Sequence, residues 1–364
     1  MPKDKKVCFL IPEGGKNLST HSAYLLDFIN QVGKDIPVEV IVEKGEKIRQ
    51  VNIVVQKFKF FPFRVKENLY LCFRARMKGA KIFYVHYSYI SLVNAKIITM
   101  LFGGTALYWN CGMMWLFGKK RFLRFLLNHA ADYLVTGNET MKNGYHENFG
   151  VPKEKIKIMP NWVNTERFVV SEKDKDDLRQ ELNLTSSDKV VLFLHRLAPR
   201  KGSRYLPNII KSVAEKNPQL KFLIAGSGPD SEWLKNELGG NKNVQFLGAW
   251  PNNKVPTLMV ISTAYVMPSE EEGFPRVLVE AQASGLPYSA FDIGGTKEIS
   301  PSEEYPYIKN VGDISGLVSS VLEILNFTEE QRNIFSLKLK NHAKNYAEPV
   351  VVKKFLKLVQ NLPN

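Results

Sequence analysis

Two glutamates eight positions apart, Glu272 and Glu280, are the residues whose types and spacing best suit chemistry on a ligand. Pro275 is typical of the first turn of a helix, and Gly285 with Pro287 predicts where that helix ends. The two carboxylates are then roughly 10 Å apart along the helix axis. A glycosidase carboxylate pair is closer, at about 5 to 9 Å. The spacing therefore suits one carboxylate at a reacting sugar and the other at a ribose farther along the same ligand.

The start of this predicted helix and an earlier turn both favour an anion. The first N–H groups of a helix have no partner inside the helix, and residues 273–277 supply them here. Arg196 and Lys201 bracket a turn after an apolar strand, where they can converge on one anion. Preorganised cations stabilise a leaving group that develops negative charge. Two solvated surface cations are the alternative.

The elements that position these residues alternate between strands and helices. In the second half, the apolar pattern predicts strands near 190–194, 221–225, 244–246, 264–267 and 288–290, and helices near 204–216, 230–238, 255–261 and 275–284. In the first half, it predicts strands near 6–11, 38–42, 51–55, 81–86, 106–109 and 131–136, and helices near 19–32 and 139–148. Two final helices, broken near Pro349, are expected over 329–362. The alternation predicts two α/β units, each a parallel sheet covered on both faces.

The segment EGFPRVLVEAQASGLP at 272–287, preceded by Pro268 and Ser269, resembles the signature of retaining glycosyltransferase family 4. The resemblance implies the GT-B fold, with two Rossmann-like, doubly wound parallel-sheet domains facing each other across a cleft. On that basis we expect three parts, namely an acceptor-binding domain over 1–165, a nucleotide-sugar-binding domain over 166–345, and a helix over 346–364 that crosses back to the first domain.

The resemblance also implies roles for individual residues. Glu272 would contact the donor sugar and stabilise positive charge at its anomeric carbon, and Arg196 and Lys201 would neutralise the departing diphosphate. Glu280 would bind the ribose. The residues expected at the donor are Gly14, Gly15, Asn110, Gly226, Trp250, Lys254, Gly273, Phe274, Pro275, Arg276, Val277 and Glu280. An ordinary tight turn is the alternative for each glycine segment. The donor would be a UDP- or GDP-sugar, and no cofactor is expected.

Asn110 departs from the family pattern. Many relatives have a histidine near this position that faces the donor sugar, whereas asparagine can form hydrogen bonds but cannot titrate. His86, at the end of the preceding predicted strand, is the nearest candidate for the acceptor or sugar contact. A purely structural histidine is the alternative.

Cysteine and acidic motifs predict free thiols and no metal. Cys8, Cys72 and Cys111 form no C-x-x-C motif and no cluster with metal-ligand spacing. Residues 174–176 match a D-x-D metal motif, but they lie at a polar predicted helix start and should be solvated there. The apolar runs are too short for a signal peptide or for the roughly 20 residues of a membrane span. We therefore expect a cytoplasmic protein.

The net charge of +14 is concentrated in the first half. Residues 1–165 hold 25 Lys and Arg against 12 Asp and Glu, and residues 51–130 hold 13 basic residues and one acid, Glu67. Two stretches, 57–66 and 115–127, mix basic and aromatic residues, and the second can form a helix that lies in a headgroup layer. A core helix with a solvated basic face is the alternative. We predict binding to an anionic membrane surface and not to nucleic acid, for which no motif is present.

Together, the motifs, their resemblance and the charge predict a retaining, metal-independent hexosyltransferase, peripheral at the inner membrane face. Its acceptor would be a phosphorylated or lipid-linked molecule in glycan or polysaccharide biosynthesis. A transferase that acts on a soluble sugar or sugar phosphate is one alternative. A catalytically silent subunit that binds a nucleotide sugar is the other.

Overall fold

The computed structural model describes residues 5–14, 20–45, 52–58, 60–116 and 120–363, without the side chains of 20–23. Gly15, predicted at the donor, lies outside these residues, as do 117–119 of the second basic-aromatic stretch. The chain divides into two compact units, the first comprising Met1–Pro160 with Pro349–Asn364 and the second Asn161–Glu348.

The first unit is built on a seven-stranded parallel sheet. Its strands are β1 (Lys6–Gly14), β2 (Val38–Gly45), β3 (Ile53–Val55), β4 (Ala80–His86), β5 (Thr105–Trp109), β6 (Tyr133–Thr136) and β7 (Ile156–Ile158). The spatial order is β3-β2-β1-β4-β5-β6-β7. The order reverses between β1 and β4, and such a switch point is where ligands bind in doubly wound sheets, at the carboxyl ends of the strands.

Among the described residues, five helices connect these strands: α1 (Thr20–Val32), α2 (Phe61–Met77), α3 (Tyr89–Phe102), α4 (Lys120–His129) and α5 (Glu139–Phe149). The sequence pattern predicted α1 and α5 but not α2 and α3. Residues of α3 are mostly apolar throughout, so the helical period is weak. The helix considered possible within 115–127 is present as α4.

The second unit has a six-stranded parallel sheet in the order β10-β9-β8-β11-β12-β13. Its strands are β8 (Val190–Leu194), β9 (Lys221–Ala225), β10 (Val244–Gly248), β11 (Ala264–Met267), β12 (Tyr288–Phe291) and β13 (Ile308–Lys309). The helices are α6 (Glu172–Glu181), α7 (Leu206–Lys216), α8 (Ser231–Leu238), α9 (Val255–Val260), α10 (Arg276–Ser284), α11 (Ile314–Leu325) and α12 (Glu329–Ala343). This strand order is that of the Rossmann fold, with its switch point between β8 and β11. The two doubly wound sheets predicted from the sequence are confirmed.

The last helix, α13 (Glu348–Asn361), contributes to the core of the first unit. The ring of Phe355 lies 5.6 Å from that of Phe9 in β1 and 5.2 Å from that of Tyr84 in β4. The two helices predicted on either side of a break near Pro349 are present as α12 and α13, and Pro349 lies in the first turn of α13, where the absence of an N–H costs little.

The three cysteines are free and buried, as the sequence predicted. Burial raises the pKa of each thiol. A raised pKa keeps the thiols protonated at neutral pH and therefore poorly nucleophilic.

Candidate active site

The loops that follow β8 and β11 meet at the switch point of the second unit, and each carries predicted site residues. Nζ of Lys201, after β8, donates a hydrogen bond of 2.7 Å to Oε1 of Glu272, after β11. It also donates one of 2.8 Å to the carbonyl oxygen of Glu271. Lys201 and Glu272 are each only 7% exposed. The structure thus joins two residues that the sequence assigned to different parts of a donor.

His195, which the sequence did not single out, is a second partner of Glu272. The backbone N–H of Arg196 donates to Nδ1 of His195 at 2.8 Å. Nε2 of the same ring donates to Oε1 of Glu272 at 3.0 Å. The signal in the sequence was its position, directly after a buried strand at the start of the cationic turn. The side chain of Arg196 itself is exposed.

These neighbours decide the charge of Glu272. Burial raises the pKa of Glu272, but the charges and hydrogen bonds of His195 and Lys201 outweigh burial and lower it to about 2. The carboxylate is therefore ionised at neutral pH although it is buried.

Glu270 and Glu271, directly before Glu272, connect the loop after β11 to the segment that follows β8. The backbone N–H groups of Glu270 and Glu271 both donate to the carbonyl oxygen of Arg200, at 3.0 and 3.2 Å. The carboxylate of Glu271 pairs with Arg200 at 3.3 Å, and that of Glu270 accepts from Arg204 and Tyr205. The position of Glu272 is thus fixed before any ligand binds, which is what preorganised electrostatic stabilisation requires.

Two glycines allow further loops to approach this site closely. Gly294, which the sequence analysis did not identify, has φ +62°, and a Cβ there would lie 1.6 Å from the carbonyl oxygen of Glu272. Gly226, predicted at the donor, has φ +140°, and its Cβ would lie 1.9 Å from the carbonyl oxygen of His195. Only glycine fits both the space and the dihedral angle at these positions.

The helix predicted between the two glutamates is confirmed as α10. Its N-cap is Pro275, which provides no side-chain cap. The Arg276 N–H donates to the carbonyl oxygen of Phe274 at 2.8 Å and the Leu278 N–H to that of Pro275 at 3.0 Å, so an anion at the start of this helix stays a prediction. One turn along, Nε of Arg276 lies 3.3 Å from Oε1 of the buried Glu280. Gly273, Phe274, Pro275, Arg276 and Val277 thus form the link between the two carboxylates.

Trp250 and Lys254 lie together after β10. Nζ of Lys254 is 5.8 Å from the centre of the Trp250 ring and pairs with Glu181 at 2.8 Å. Their contact with a base stays a prediction.

The predicted residues of the first unit lie at or near the carboxyl ends of its strands. Gly14 ends β1, in register with Gly45 of β2. The amide of Asn110, just after β5, is used locally, because Oδ1 accepts from the Gly112 N–H at 2.7 Å and from the Tyr145 hydroxyl at 3.0 Å. A contact between Asn110 and the donor stays a prediction.

His86 ends β4 and is 1% exposed. Its ring lies 4.8 Å from that of Trp109 and 4.9 Å from that of Tyr84. This packing favours the structural interpretation of His86.

The acidic D-x-D segment, residues 174–176, lies in the first turns of a helix that Ser171 caps. Ser171 Oγ accepts from the backbone N–H of Asp174 at the start of α6, at 3.1 Å. Within the described ranges, no group of three or more His, Cys, Asp or Glu residues could hold a metal ion.

Comparison with known proteins relates this site to a family. Residues 174–342 match the family model described as glycosyl transferases group 1. This part of the chain, a little under half of it, is therefore similar to the group 1 glycosyl transferases. It contains Arg196, Lys201, Glu272 and Glu280, so the loops described above belong to the matched region.

Curated glycosyltransferases from other organisms are also similar to this chain. An uncharacterized glycosyltransferase of Methanocaldococcus jannaschii is 29% identical over 215 residues, 57% of this chain and 55% of that protein. UDP-Gal:alpha-D-GlcNAc-diphosphoundecaprenol alpha-1,3-galactosyltransferase of Escherichia coli is 29% identical over 198 residues, 52% of this chain and 50% of that protein. The chain thus spans about half the length of these relatives.

The crystal structure of HepE from Anabaena in complex with UDP-glucose aligns with a TM-score of 0.82 and 20% identity. The alignment covers 98% of this chain and 100% of that one. At this identity the likeness shows the fold, which is GT-B as predicted.

Proposed function

We propose that this chain is a retaining glycosyltransferase that moves a hexose from a nucleoside-diphosphate sugar to an acceptor. The observation that carries the proposal is the buried, ionised carboxylate of Glu272, held by Lys201 and His195 at the switch point of a unit similar to the group 1 glycosyl transferases. A fixed negative charge in a buried site is worth far more to a developing positive charge than the same carboxylate in water.

The transfer assigns a task to each charged group. As the bond between the anomeric carbon and the diphosphate breaks, positive charge develops on the sugar and is stabilised by Glu272. Negative charge develops on the leaving diphosphate and is stabilised by Lys201 and Arg196, so that protein cations do the work a metal does elsewhere. The acceptor oxygen bonds to the anomeric carbon on the face that the diphosphate leaves, and its proton passes to a phosphate oxygen. The configuration is thereby retained.

The donor is proposed to be a UDP-hexose, with a GDP-sugar as the alternative. The Escherichia coli relative is named for UDP-galactose, and HepE was crystallised with UDP-glucose. Glu280 is the proposed acceptor of hydrogen bonds from the ribose hydroxyls, a role that carboxylates take in dinucleotide sites.

The acceptor is proposed to be lipid-linked or phosphorylated and reached at an anionic membrane surface. The first unit exposes a surface, here called the aromatic–basic face, made of the exposed residues of α2, α3 and α4. Ring contacts join its parts, from Phe73 to Phe102 at 5.3 Å and from Tyr89 to Phe122 at 6.1 Å. Exposed apolar side chains on the three helices are Phe61, Phe63, Tyr70, Phe73, Met77, Tyr89, Val93, Ile97, Met100, Leu101, Phe102, Phe122 and Phe125.

Helix α4 shows why this face suits a membrane surface. Its leucines Leu123, Leu126 and Leu127 are buried in the core, whereas Phe122 and Phe125 are exposed beside Arg121 and Arg124. An apolar surface that contains many exposed rings next to cations fits an anionic headgroup layer. Such a layer buries the rings and neutralises the charges. None of the helices in the described ranges is long and apolar enough to cross a bilayer. We propose a peripheral position at the inner membrane face.

The test is the stereochemistry of the product. The full chain is incubated with a panel of UDP- and GDP-hexoses and acceptors, and the anomeric configuration of the product is read by proton NMR. An α-configured donor should give an α-linked product, and an inverted product would refute the mechanism. If the folded chain binds nucleotide sugars but releases no nucleotide with any of them, the silent binding subunit is the correct interpretation.

A further inference from the structure

A cavity of about 540 Å³ lies in the first unit, outside the residues that match the family model. It is formed where β2 ends and the chain leaves β3, and its lining includes Glu43, Lys44, Gln56, Lys57, Phe58 and Arg64. Its volume lies within the range of about 300 to 1,000 Å³ that ligand sites occupy. Its position at the carboxyl ends of parallel strands is where doubly wound sheets bind their ligands.

The cavity has an excess of positive charge. Lys44, Lys57 and Arg64 line it together with one acid, Glu43. Oε1 of Glu43 accepts from the Ser91 hydroxyl at 2.6 Å and from the Ser88 hydroxyl. The three cations therefore exceed the one carboxylate, and their combined charge favours a phosphate, which lysine and arginine bind strongly.

A buried amide in the lining lacks a partner. Gln56 is only 8% exposed, and its Nε2 donates to the carbonyl oxygen of Arg64 at 3.0 Å, which fixes the orientation of the amide. Oε1 of Gln56 has no hydrogen-bond partner among the residues that the structure describes. Leaving such a buried acceptor unsatisfied costs free energy. A ligand hydroxyl can satisfy it.

The wall that carries Lys57 is held in place by Glu67, the one acid between residues 51 and 130. The backbone N–H groups of Lys57 and Phe58 both donate to its carboxylate at 2.9 Å. Glu67 thus fixes the wall, and the three cations of the lining still outnumber Glu43 and Glu67 together.

We propose that this cavity binds a phosphorylated polyol, a sugar phosphate or an inositol phosphate. The phosphate is held by Lys44, Lys57 and Arg64, and the hydroxyl groups donate to Glu43 and to Oε1 of Gln56. The ring of Phe58 lies 5.8 Å from that of Phe63 on the aromatic–basic face. A lipid attached to the phosphate can therefore continue onto that face. The identification of this ligand as the acceptor rests on the proposed function, whereas its binding does not.

The first test is calorimetric titration of the full chain with inositol 1-phosphate, glucose 1-phosphate, inorganic phosphate and free glucose. At least one phosphorylated polyol should bind, and Arg64→Gln should weaken it about tenfold. The matched control Lys153→Gln, an exposed cation of the same unit outside the cavity, should leave it unchanged. Gln56→Leu should weaken the phosphorylated polyol and leave inorganic phosphate unaffected. UDP binding, measured on each variant, shows that the chain is folded.

The second test separates a soluble ligand from a lipid headgroup. Binding is compared on phosphatidylcholine vesicles that contain either phosphatidylinositol or, as a charge-matched control, phosphatidylglycerol. A preference for phosphatidylinositol that is lost in Gln56→Leu identifies a headgroup, and binding of the soluble compounds without that preference identifies a free phosphorylated polyol. The proposal is overturned if neither of these two results is obtained. It is also overturned if wild type and Arg64→Gln bind the soluble compounds equally well. If the chain turns over a UDP-hexose but binds no phosphorylated polyol, the proposal for the cavity is refuted and the proposed function stands. If it binds a phosphorylated polyol but turns over no UDP-hexose, the proposed function is refuted and the proposal for the cavity stands.

Discussion

The ammonium group of Lys201 lies 2.7 Å from Oε1 of Glu272, although the two residues are 71 positions apart. They meet because β8 and β11 are neighbours at the point where the strand order reverses. The cation expected at the diphosphate and the carboxylate expected at the sugar are therefore one coupled pair. A substitution of either residue changes the environment of the other.

Breaking this pair should cost stability. Lys201→Met keeps most of the side-chain volume but leaves the buried Glu272 carboxylate without its ammonium partner. Removing one member of a buried ion pair costs about 3 to 5 kcal/mol, so the free energy of unfolding in urea should fall by about 3 kcal/mol. Lys235→Met, which breaks the exposed Lys235–Glu232 pair of α8, should cost less than about 0.5 kcal/mol. Equal losses of unfolding free energy in both variants would show that the Lys201–Glu272 pair is no more stabilising than an exposed ion pair.

Glu272 should also give the fold a specific acid sensitivity. The pKa of Glu272 is lowered from the ordinary 4.5 to about 2. Because it is lower in the folded state, ionised Glu272 stabilises the fold above pH 4.5, and this contribution of about 3 kcal/mol is lost as the pH falls from 4.5 towards 2. Urea unfolding of wild type and Glu272→Gln should show a stability difference that shrinks over that window. A difference that is constant with pH would show that the pKa is not lowered.

Gly294 should be required for the position of Glu272. A Cβ at Gly294 would lie 1.6 Å from the Glu272 carbonyl oxygen, so Gly294→Ala must displace the loop that carries Glu272. A displacement of about 1 Å can cost about 100-fold in rate. Gly312→Ala is the matched control, because Gly312 also has a positive φ but has no atom within 4 Å of the added Cβ. UDP-hexose turnover should fall in the first variant and stay near wild type in the second. Equal turnover by the two variants would show that the position of Glu272 does not depend on Gly294.

The aromatic–basic face should bind anionic membranes through its cations. Each cation near an anionic surface contributes about 1 kcal/mol, so the double variant Arg121→Gln/Arg124→Gln should lose about 2 kcal/mol, roughly 30-fold in affinity. The measurement is sedimentation with phosphatidylglycerol vesicles at low and high salt. Lys211→Gln/Lys216→Gln, on α7 of the second unit, is the control with the same loss of charge. An equal loss in the control would mean that net charge alone attracts the protein.

The sequence predicted which residues belong to the site better than it predicted which of them contact one another. Glu272 and Lys201 stand out because each follows a strand end marked by apolar runs, glycines and prolines, and Glu280 stands out through its spacing from Glu272 along a predicted helix. The pairing of Lys201 with Glu272 follows from strand order, which no local pattern encodes. His195 was missed because a single histidine in a turn has no distinguishing spacing. Gly294 was missed because its role is a close approach to the chain at Glu272.

The first unit was less predictable. The basic-aromatic stretches were recognised by composition, but α2 and α3 were not predicted, since an exposed apolar face hides the amphipathic period on which a helix prediction rests. The cavity beside the ends of β2 and β3 was not predicted either. Gln56 and Arg64 are ordinary surface residue types, and their meeting across the end of β3 depends on where α2 begins.

The most direct test of the account is nucleotide release from a UDP- or GDP-hexose by wild type, Glu272→Gln and Glu232→Gln. Glu232 is an exposed acid of α8 in the same unit and serves as the charge-matched control. Glu272→Gln should lower the rate of release by about 100-fold or more, while Glu232→Gln should stay within about twofold of wild type. Wild-type release that persists unchanged in Glu272→Gln would contradict the claim that this buried carboxylate stabilises the transferred sugar.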